Sequence, residues 1–310
     1  MLENNIAVKI SNQTRPIVHH AHNRREVKVV SKEDHIDMTR PYEIILDYKD
    51  LESAYEEVFN NSIKNYNKKQ ARKDRKIKNY LQTILEDERR CNKKESKKDN
   101  SRKPVYESIF KIGKTGNQIN PEKAKKILKE FVSVYLPSHY PNMKIIGVYM
   151  HDDEFSIDEE TKEKIPSPPH LHVDWIPVCH CLNEEEQKAE KERRKNLKEE
   201  AKRKVILAGK KWTKEDDAKW QKKDWKNDMI KLYGKSQLTG MDLQASLTGA
   251  LLEMGFKTGR EKGWTAQMSF EENVRHSLEN FAEQREVLID RTKSTTHRDH
   301  YTTNESLVSN

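Results

Sequence analysis

The residues with the clearest chemical potential in this 310-residue chain are histidines. Pro169-His170-Leu171-His172 opens an apolar run, His170 to Val178, that reads as a β-strand. Strand side chains alternate between faces, so His170, His172, Asp174 and Ile176 point one way, and two imidazoles spaced by two can share a metal ion. The apolar strand before it, Lys144 to His151, ends in His151-Asp152-Asp153-Glu154, which offers a third imidazole and a carboxylate. If the two strands are antiparallel neighbours, the end of one faces the start of the other. A further cluster, His19, His20 and His22, lies near the N-terminus, with Arg25 three residues past His22. His-x-His alone is more often a solvated strand face than a metal site. Three imidazoles with oxygen ligands suit manganese, zinc or another divalent ion and leave positions for a phosphate. That is phosphodiester chemistry: a metal polarises the non-bridging oxygens, a nucleophile attacks in line, and an arginine such as Arg25 offsets the developing charge.

The elements that must position these residues form an α/β (α+β) pattern. Asn5 to Ser11 reads as a short strand, Tyr42 to Leu46 as an apolar stretch, and Leu51 to Tyr66 as an amphipathic helix. Val105 to Ile112 reads as a strand. Asn120 and Pro121 cap a helix that should bury Ala124, Ile127, Leu128, Phe131, Val132 and Tyr135 and stop before Pro137. Asp152 to Pro169 reads as a polar loop. Asn183 to Lys231 is dominated by charge and predicts exposed helices broken near Gly209. Leu243, Leu247, Ala250, Leu251 and Met254 predict a helix closed by Gly255, and Thr292 to Asn310 a disordered tail. The expected organisation is a catalytic domain over 1–182 and 233–275, a charged helical insertion over 183–232, and a partly disordered tail over 276–310.

Charged residues make up 35% of the chain and hydrophobic ones 34%, too few to fill a core of this length, so part of the chain should be exposed. Between Lys64 and Lys103, 16 Lys and Arg stand against 6 Asp and Glu, while the whole chain nets only +8. A basic segment this localised is the footprint of a polyanion-binding protein or, equally, a solvated helix and loop. Arg24, Lys68, Lys69, Arg72, Lys73, Arg75 and Lys76 are the DNA-binding candidates. No apolar run spans a membrane, Met1 to Arg15 lacks a signal core, and Cys91, Cys179 and Cys181 make no disulfide framework. A cytoplasmic protein is expected.

The order Val148-Tyr-Met-His151-Asp-Asp-Glu154, then Pro168-Pro-His170-Leu-His172, then a strand ending at Pro177, resembles the metal motif of the Pre/Mob (MobV-type) plasmid mobilisation and recombination relaxases. His22-Asn23-Arg24-Arg25 resembles that family's second motif. The resemblance covers about residues 5 to 180 and, more weakly, 235 to 265. It implies an HUH-relaxase-like palm with an antiparallel sheet flanked by helices. It also implies a cytoplasmic enzyme that nicks one strand of plasmid origin DNA, single-stranded or hairpin, and becomes attached to the 5′ end. It makes His151, His170 and His172 metal ligands and puts Glu154 beside them, orienting a ligand or accepting a proton. It makes His22 the nucleophile, assisted by Arg25, where related groups use tyrosine. Manganese is the expected ion, with magnesium or zinc as alternatives, and a homodimer is among the partners implied. Four features depart from the family. Fifteen residues separate Glu154 from His170, where the family has a few; Asn183 to Lys231 is an apparent insertion; the family's long C-terminal coiled coil has no counterpart; and His19 and His20 crowd the nucleophile motif as competitors of His22 for its role.

Other readings stand beside this one. A replication-initiator-like nickase would use the same site at a replication origin. A non-catalytic accessory protein would bind origin DNA without needing a complete metal set. Cys179-His180-Cys181 is a weak zinc signal, because both cysteines should face away from the histidine pair. Asp174 is either a hydrogen-bond partner for an imidazole or an exposed carboxylate. Tyr66, Tyr80, Tyr106, Tyr135 and Tyr149 fit core or edge positions better than a nucleophile's. Trp212, Trp220 and Trp225 fit helix contacts better than base stacking.

Overall fold

The computed structural model describes residues 6–93, 102–158, 160–217, 240–256 and 265–292. The chain forms two compact units. One comprises residues 1–48, 105–176 and 258–310, and the other 49–104 and 177–257. The charged stretch expected as an insertion thus belongs to a unit that also holds the basic segment.

The first unit is built on an antiparallel sheet. Its strands are β1 (Ile10–Arg15), β2 (Tyr42–Leu46), β3 (Tyr106–Ile112), β4 (Met143–His151) and the first part of β7 (His170–Cys181), in the order β1-β3-β7-β4-β2. β4 and β7 are hydrogen-bonded neighbours, as the histidine argument requires. The β3–β7 register places Glu107 opposite Asp174, Ile109 opposite His172 and Lys111 opposite His170. Residues directly opposite share a face, so one face of the sheet carries the polar set. The other face carries Phe110, Leu171, Val173 and Trp175, all buried.

Helices cover that apolar face. Asn120 caps α5 (Pro121–Glu130) through the N–H groups of Glu122 and Lys123, and Pro121 occupies the first turn, where no N–H is needed. Ala124, Ile127 and Leu128 are its buried residues. The helix was expected to end before Pro137. Instead a π-helical turn, Phe131–Tyr135, leads into α6 (Leu136–His139), with Pro137 in its first turn. The wider turn changes the hydrogen-bond register, and a first-turn proline forfeits no bond. The last helix of the unit, α9 (Ala266–Glu283), buries Phe270, Val274, Leu278 and Phe281, and Phe270 lies 5.0 Å from the Trp175 ring. It runs past residue 275, and Ile289 still bridges to Val8, so ordered structure extends well into the expected tail.

β1 lies five residues beyond the expected start because its inward face is polar. Thr14 pairs its hydroxyl with Ser108, and its N–H with Glu271. The stretch expected as a loop between β4 and β7 contains a hairpin of β5 (Phe155–Ile157) and β6 (Lys164–Pro166), which absorbs the long gap between Glu154 and His170.

The second unit contains α3 (Leu51–Lys69), a 3-10 turn at Lys73–Arg75, α4 (Tyr80–Lys93), α7 (Glu184–Leu207), β8 (Met241–Gln244) and α8 (Leu247–Glu253). Asn183 and Glu186 form a capping box on α7, which ends at Gly209 with φ +72°. Leu243 was expected on a helix. It lies instead on β8, which pairs with Val178–Cys181, and the helix begins only after the Ser246 cap. Trp220, Trp225 and residues 293–310 lie outside the described residues. Among the described residues no helix is long and apolar enough to cross a membrane.

Candidate metal centre

The His22 motif forms a single helical turn, α1 (His20–Asn23), after β1. It is anchored from below. Asn23 is fully buried and donates from Nδ2 to Glu107 Oε1 at 2.7 Å and to Asp174 Oδ1 at 3.3 Å. Arg25 then adopts φ +55°, a left-handed conformation that costs a non-glycine residue on the order of 1 kcal/mol. Its buried guanidinium makes a bidentate pair with Asp153 at 2.6 and 2.7 Å, which holds the strained turn against the end of β4.

The segment after β4 is held residue by residue. Asp152 pairs with Arg40 at 2.9 Å and Lys125 at 3.1 Å, and Asp153 pairs with Arg25. The backbone at Asp153 and Glu154 is tied to Asp37 and Ser167. Glu154 therefore projects its carboxylate from a fixed frame.

Each of the three predicted ligand histidines has one ring nitrogen committed to a group that can only accept. His151 Nε2 lies 2.9 Å from the Asn23 carbonyl, His172 Nδ1 2.9 Å from Glu107 Oε1, and His170 Nδ1 3.2 Å from the Pro168 carbonyl. Those nitrogens must carry the hydrogen, so the opposite nitrogens present lone pairs. His151 Nδ1 and His172 Nε2 are buried and have no hydrogen-bond partner, and His170 Nε2 lies 3.4 Å from Glu154 Oε1. The rings are 4.5 to 5.5 Å apart.

His22 joins this set. Its Nε2 lies 3.8 Å from Glu154 Oε1, and the ligand atoms of His22, His151, Glu154 and His172 all lie within 4.8 Å of one another. The orphaned lone pairs and the mixed nitrogen and oxygen donors fit a divalent cation, and the cluster could hold one.

The electrostatics keep the donors in binding form. Burial lowers the pKa values of His22 and His151 and brings His172 down to about 3, so all three are neutral near pH 7. Burial alone would raise the Glu154 pKa. The Arg25 guanidinium, which donates to it at 3.0 Å, outweighs burial and holds the carboxyl well below its usual range.

The sequence candidates are thus partly brought together. His22, His151, Glu154 and His172 form the set that could hold a metal; His170 lies beside it, 3.4 Å from Glu154, and outside that set, and Arg25 is bound to Glu154. Arg25 donates to Asp153 and Glu154 and lies 3.0 Å from His22 Nε2, so in this structure it ties these residues together. Arg24 is partly exposed and pairs with Asp47 at 3.2 Å. Lys68, Lys69, Arg72, Lys73, Arg75 and Lys76 are exposed on the other unit. Asp174 is neither exposed nor bonded to an imidazole. It accepts from Asn23 and from the Tyr48 hydroxyl, and the imidazole partner is Glu107. Tyr149 donates to Asp47 at 2.8 Å, and burial and that carboxylate push its phenol pKa up, which disfavours a phenolate nucleophile. Cys179 and Cys181 are buried, and neither belongs to a metal-holding group among the described residues.

Glu107, Asn23, Asp153 and Glu33 are the residues that sequence reasoning missed. Glu107 left one signal: a carboxylate inside the apolar strand Val105 to Ile112 needs a partner if buried. Comparison of the chain with protein-family models, curated proteins and solved structures gives no match.

Proposed function

We propose that the chain is a metal-dependent relaxase of the Pre/Mob type, which nicks one strand of plasmid DNA at a transfer origin and is left joined to the 5′ phosphate through His22. The observation that carries this reading is the gathering of His22, His151, Glu154 and His172, whose ligand atoms all lie within 4.8 Å of one another, with His170 Nε2 3.4 Å from the same carboxylate. A bound divalent ion, manganese by the resemblance and zinc equally compatible with these nitrogen and oxygen donors, would supply charge withdrawal at the non-bridging oxygens of the scissile phosphate.

His22 has the attributes of a nucleophile. Its ring is neutral near pH 7, and Glu33 lies 2.8 Å from Nδ1, ready to stabilise the positive charge that the ring gains on attack. Nε2 is held 3.0 Å from an Arg25 N–H, which must turn away before attack. A bond from Nε2 to phosphorus then forms, the bond from phosphorus to the 3′ oxygen breaks, and that oxygen takes a proton from solvent water to leave as a hydroxyl. Incubation with manganese and origin-bearing supercoiled plasmid should give a nicked product with protein on its 5′ end, mapped to His22 by peptide mass spectrometry. An adduct on a tyrosine, or nicking that persists in chelator, overturns the assignment.

One observation favours a second reading. His22 belongs to the tightest ligand set, with His151, Glu154 and His172, so it also fits a metal ligand in a protein that binds origin DNA without covalent attachment. Manganese titration of His22→Ala separates the two. Unchanged affinity supports the nucleophile, and a large loss supports the ligand.

A further inference from the structure

The incoming phosphodiester needs a cation that is free to meet it, and most cations around the cluster are already neutralised. Arg25 is bound to Asp153, Glu154 and His22. Arg15 is paired with Glu107, Arg40 with Asp152, Lys125 with Glu122 and Asp152, and Arg24 with Asp47. Lys111 differs from all of these. It stands directly opposite His170 in the β3–β7 register, so its side chain leaves the sheet on the histidine face. It is half-buried, feels the charge of Glu154, and has no hydrogen bond or ion pair among the described residues.

A half-buried ammonium without a counter-ion is costly, and its attraction for an anion is stronger than that of an exposed lysine because less water screens it. Burial accordingly lowers the Lys111 pKa, and Glu154 offsets only part of that. From this placement we infer that Lys111 is the phosphate-binding cation of the site: its ammonium pairs with a non-bridging oxygen of the phosphodiester and takes up charge as the nucleophile attacks. Arg25 then serves as the lock that holds Asp153, Glu154 and His22 in place. The inference rests on the relaxase reading for its substrate and on the strand register for its residue.

The test uses the full chain loaded with Mn²⁺ and dimethyl phosphate as the probe, read by paramagnetic relaxation of the ³¹P resonance. Wild type should relax the probe. Lys111→Gln should bind Mn²⁺ at least as tightly as wild type but dimethyl phosphate about tenfold more weakly, the loss of one charge-assisted hydrogen bond. Lys111→Arg should restore most of the phosphate affinity. Wild-type dimethyl phosphate affinity in Lys111→Gln overturns the inference and leaves the metal centre standing. Loss of Mn²⁺ binding in Lys111→Gln also overturns it, because Lys111 would then act through the fold. If wild type binds Mn²⁺ but not dimethyl phosphate, the phosphodiester reading of the whole site fails and the inference with it.

Discussion

At the scale of single residues, the site is governed by groups that never touch a metal. Glu107 is fully buried and accepts from His172, Asn23 and Arg15. Burial alone would raise its pKa, but His172 and Arg15 bring it down to about 2, so it stays charged and fixes which His172 nitrogen faces the cluster. Glu107→Gln should therefore weaken manganese binding by about 10- to 100-fold in calorimetric titration, the usual cost of losing such an outer partner. An unchanged affinity would show that His172 is oriented by packing alone. Asp174, opposite Glu107, has its pKa raised to about 8 by burial and by the Glu107 charge. The native state then keeps a proton that the unfolded chain releases near 3.8, so this group's contribution to stability falls as pH rises from 3.8 to 8. His172 acts with the opposite sign: held at about 3 against 6.5 unfolded, it makes stability rise between those values and adds nothing above them. In metal-free protein, Asp174→Asn should flatten the decline between pH 6.5 and 8, read as the urea midpoint at each pH. An identical pH slope in wild type and variant would show that Asp174 ionises normally.

At the scale of elements, the sequence was most informative where one physical signal dominated. Continuous apolar runs located β4 and β7, and the Asn120–Pro121 cap located the start of α5. Because strand alternation is strict, the shared face of His170 and His172 could be read directly. What stayed hidden depends on partners distant in the chain. The polar inner face of β1 is satisfied by Ser108 and Glu271, and β8 exists because Val178–Cys181 supplies its ladder. The role of Arg25 was hidden for the same reason, since nothing in His22-Asn23-Arg24-Arg25 announces Asp153 as its partner. Gly147 in β4 shows how closely these elements approach. A Cβ there would lie 2.8 Å from the ring edge and hydroxyl of Tyr149 and 3.0 Å from the ring of Tyr48. Gly147→Ala should force both rings to move and cost about 1–3 kcal/mol in urea denaturation. A neutral result would mean that the two tyrosines repack freely.

At the scale of the whole molecule, the chemistry and the basic surface belong to different compact units. The histidine cluster lies in the first, and Lys68, Lys69, Arg72, Lys73, Arg75 and Lys76 are exposed in the second. Under the proposed function, the two make separable contributions to DNA binding. Phosphate contacts on an exposed basic surface release counterions, so affinity falls with salt, with a slope of about 0.7 per phosphate neutralised on a single strand. Replacing the six basic residues with glutamine removes that capacity and leaves every ligand of the cluster in place. Arg72 is already engaged by Asp74 at 2.7 Å, so its own contribution should be the smallest of the six. The expected outcome is weaker binding to a single-stranded oligonucleotide and a shallower salt dependence, with manganese affinity unchanged. Fluorescence anisotropy across a salt series gives the slope, and calorimetry gives the metal affinity. A slope equal to that of wild type would mean that the basic segment is a solvated surface and that DNA is held by the first unit alone. A loss of manganese binding in the same variant would show instead that the two units do not function independently.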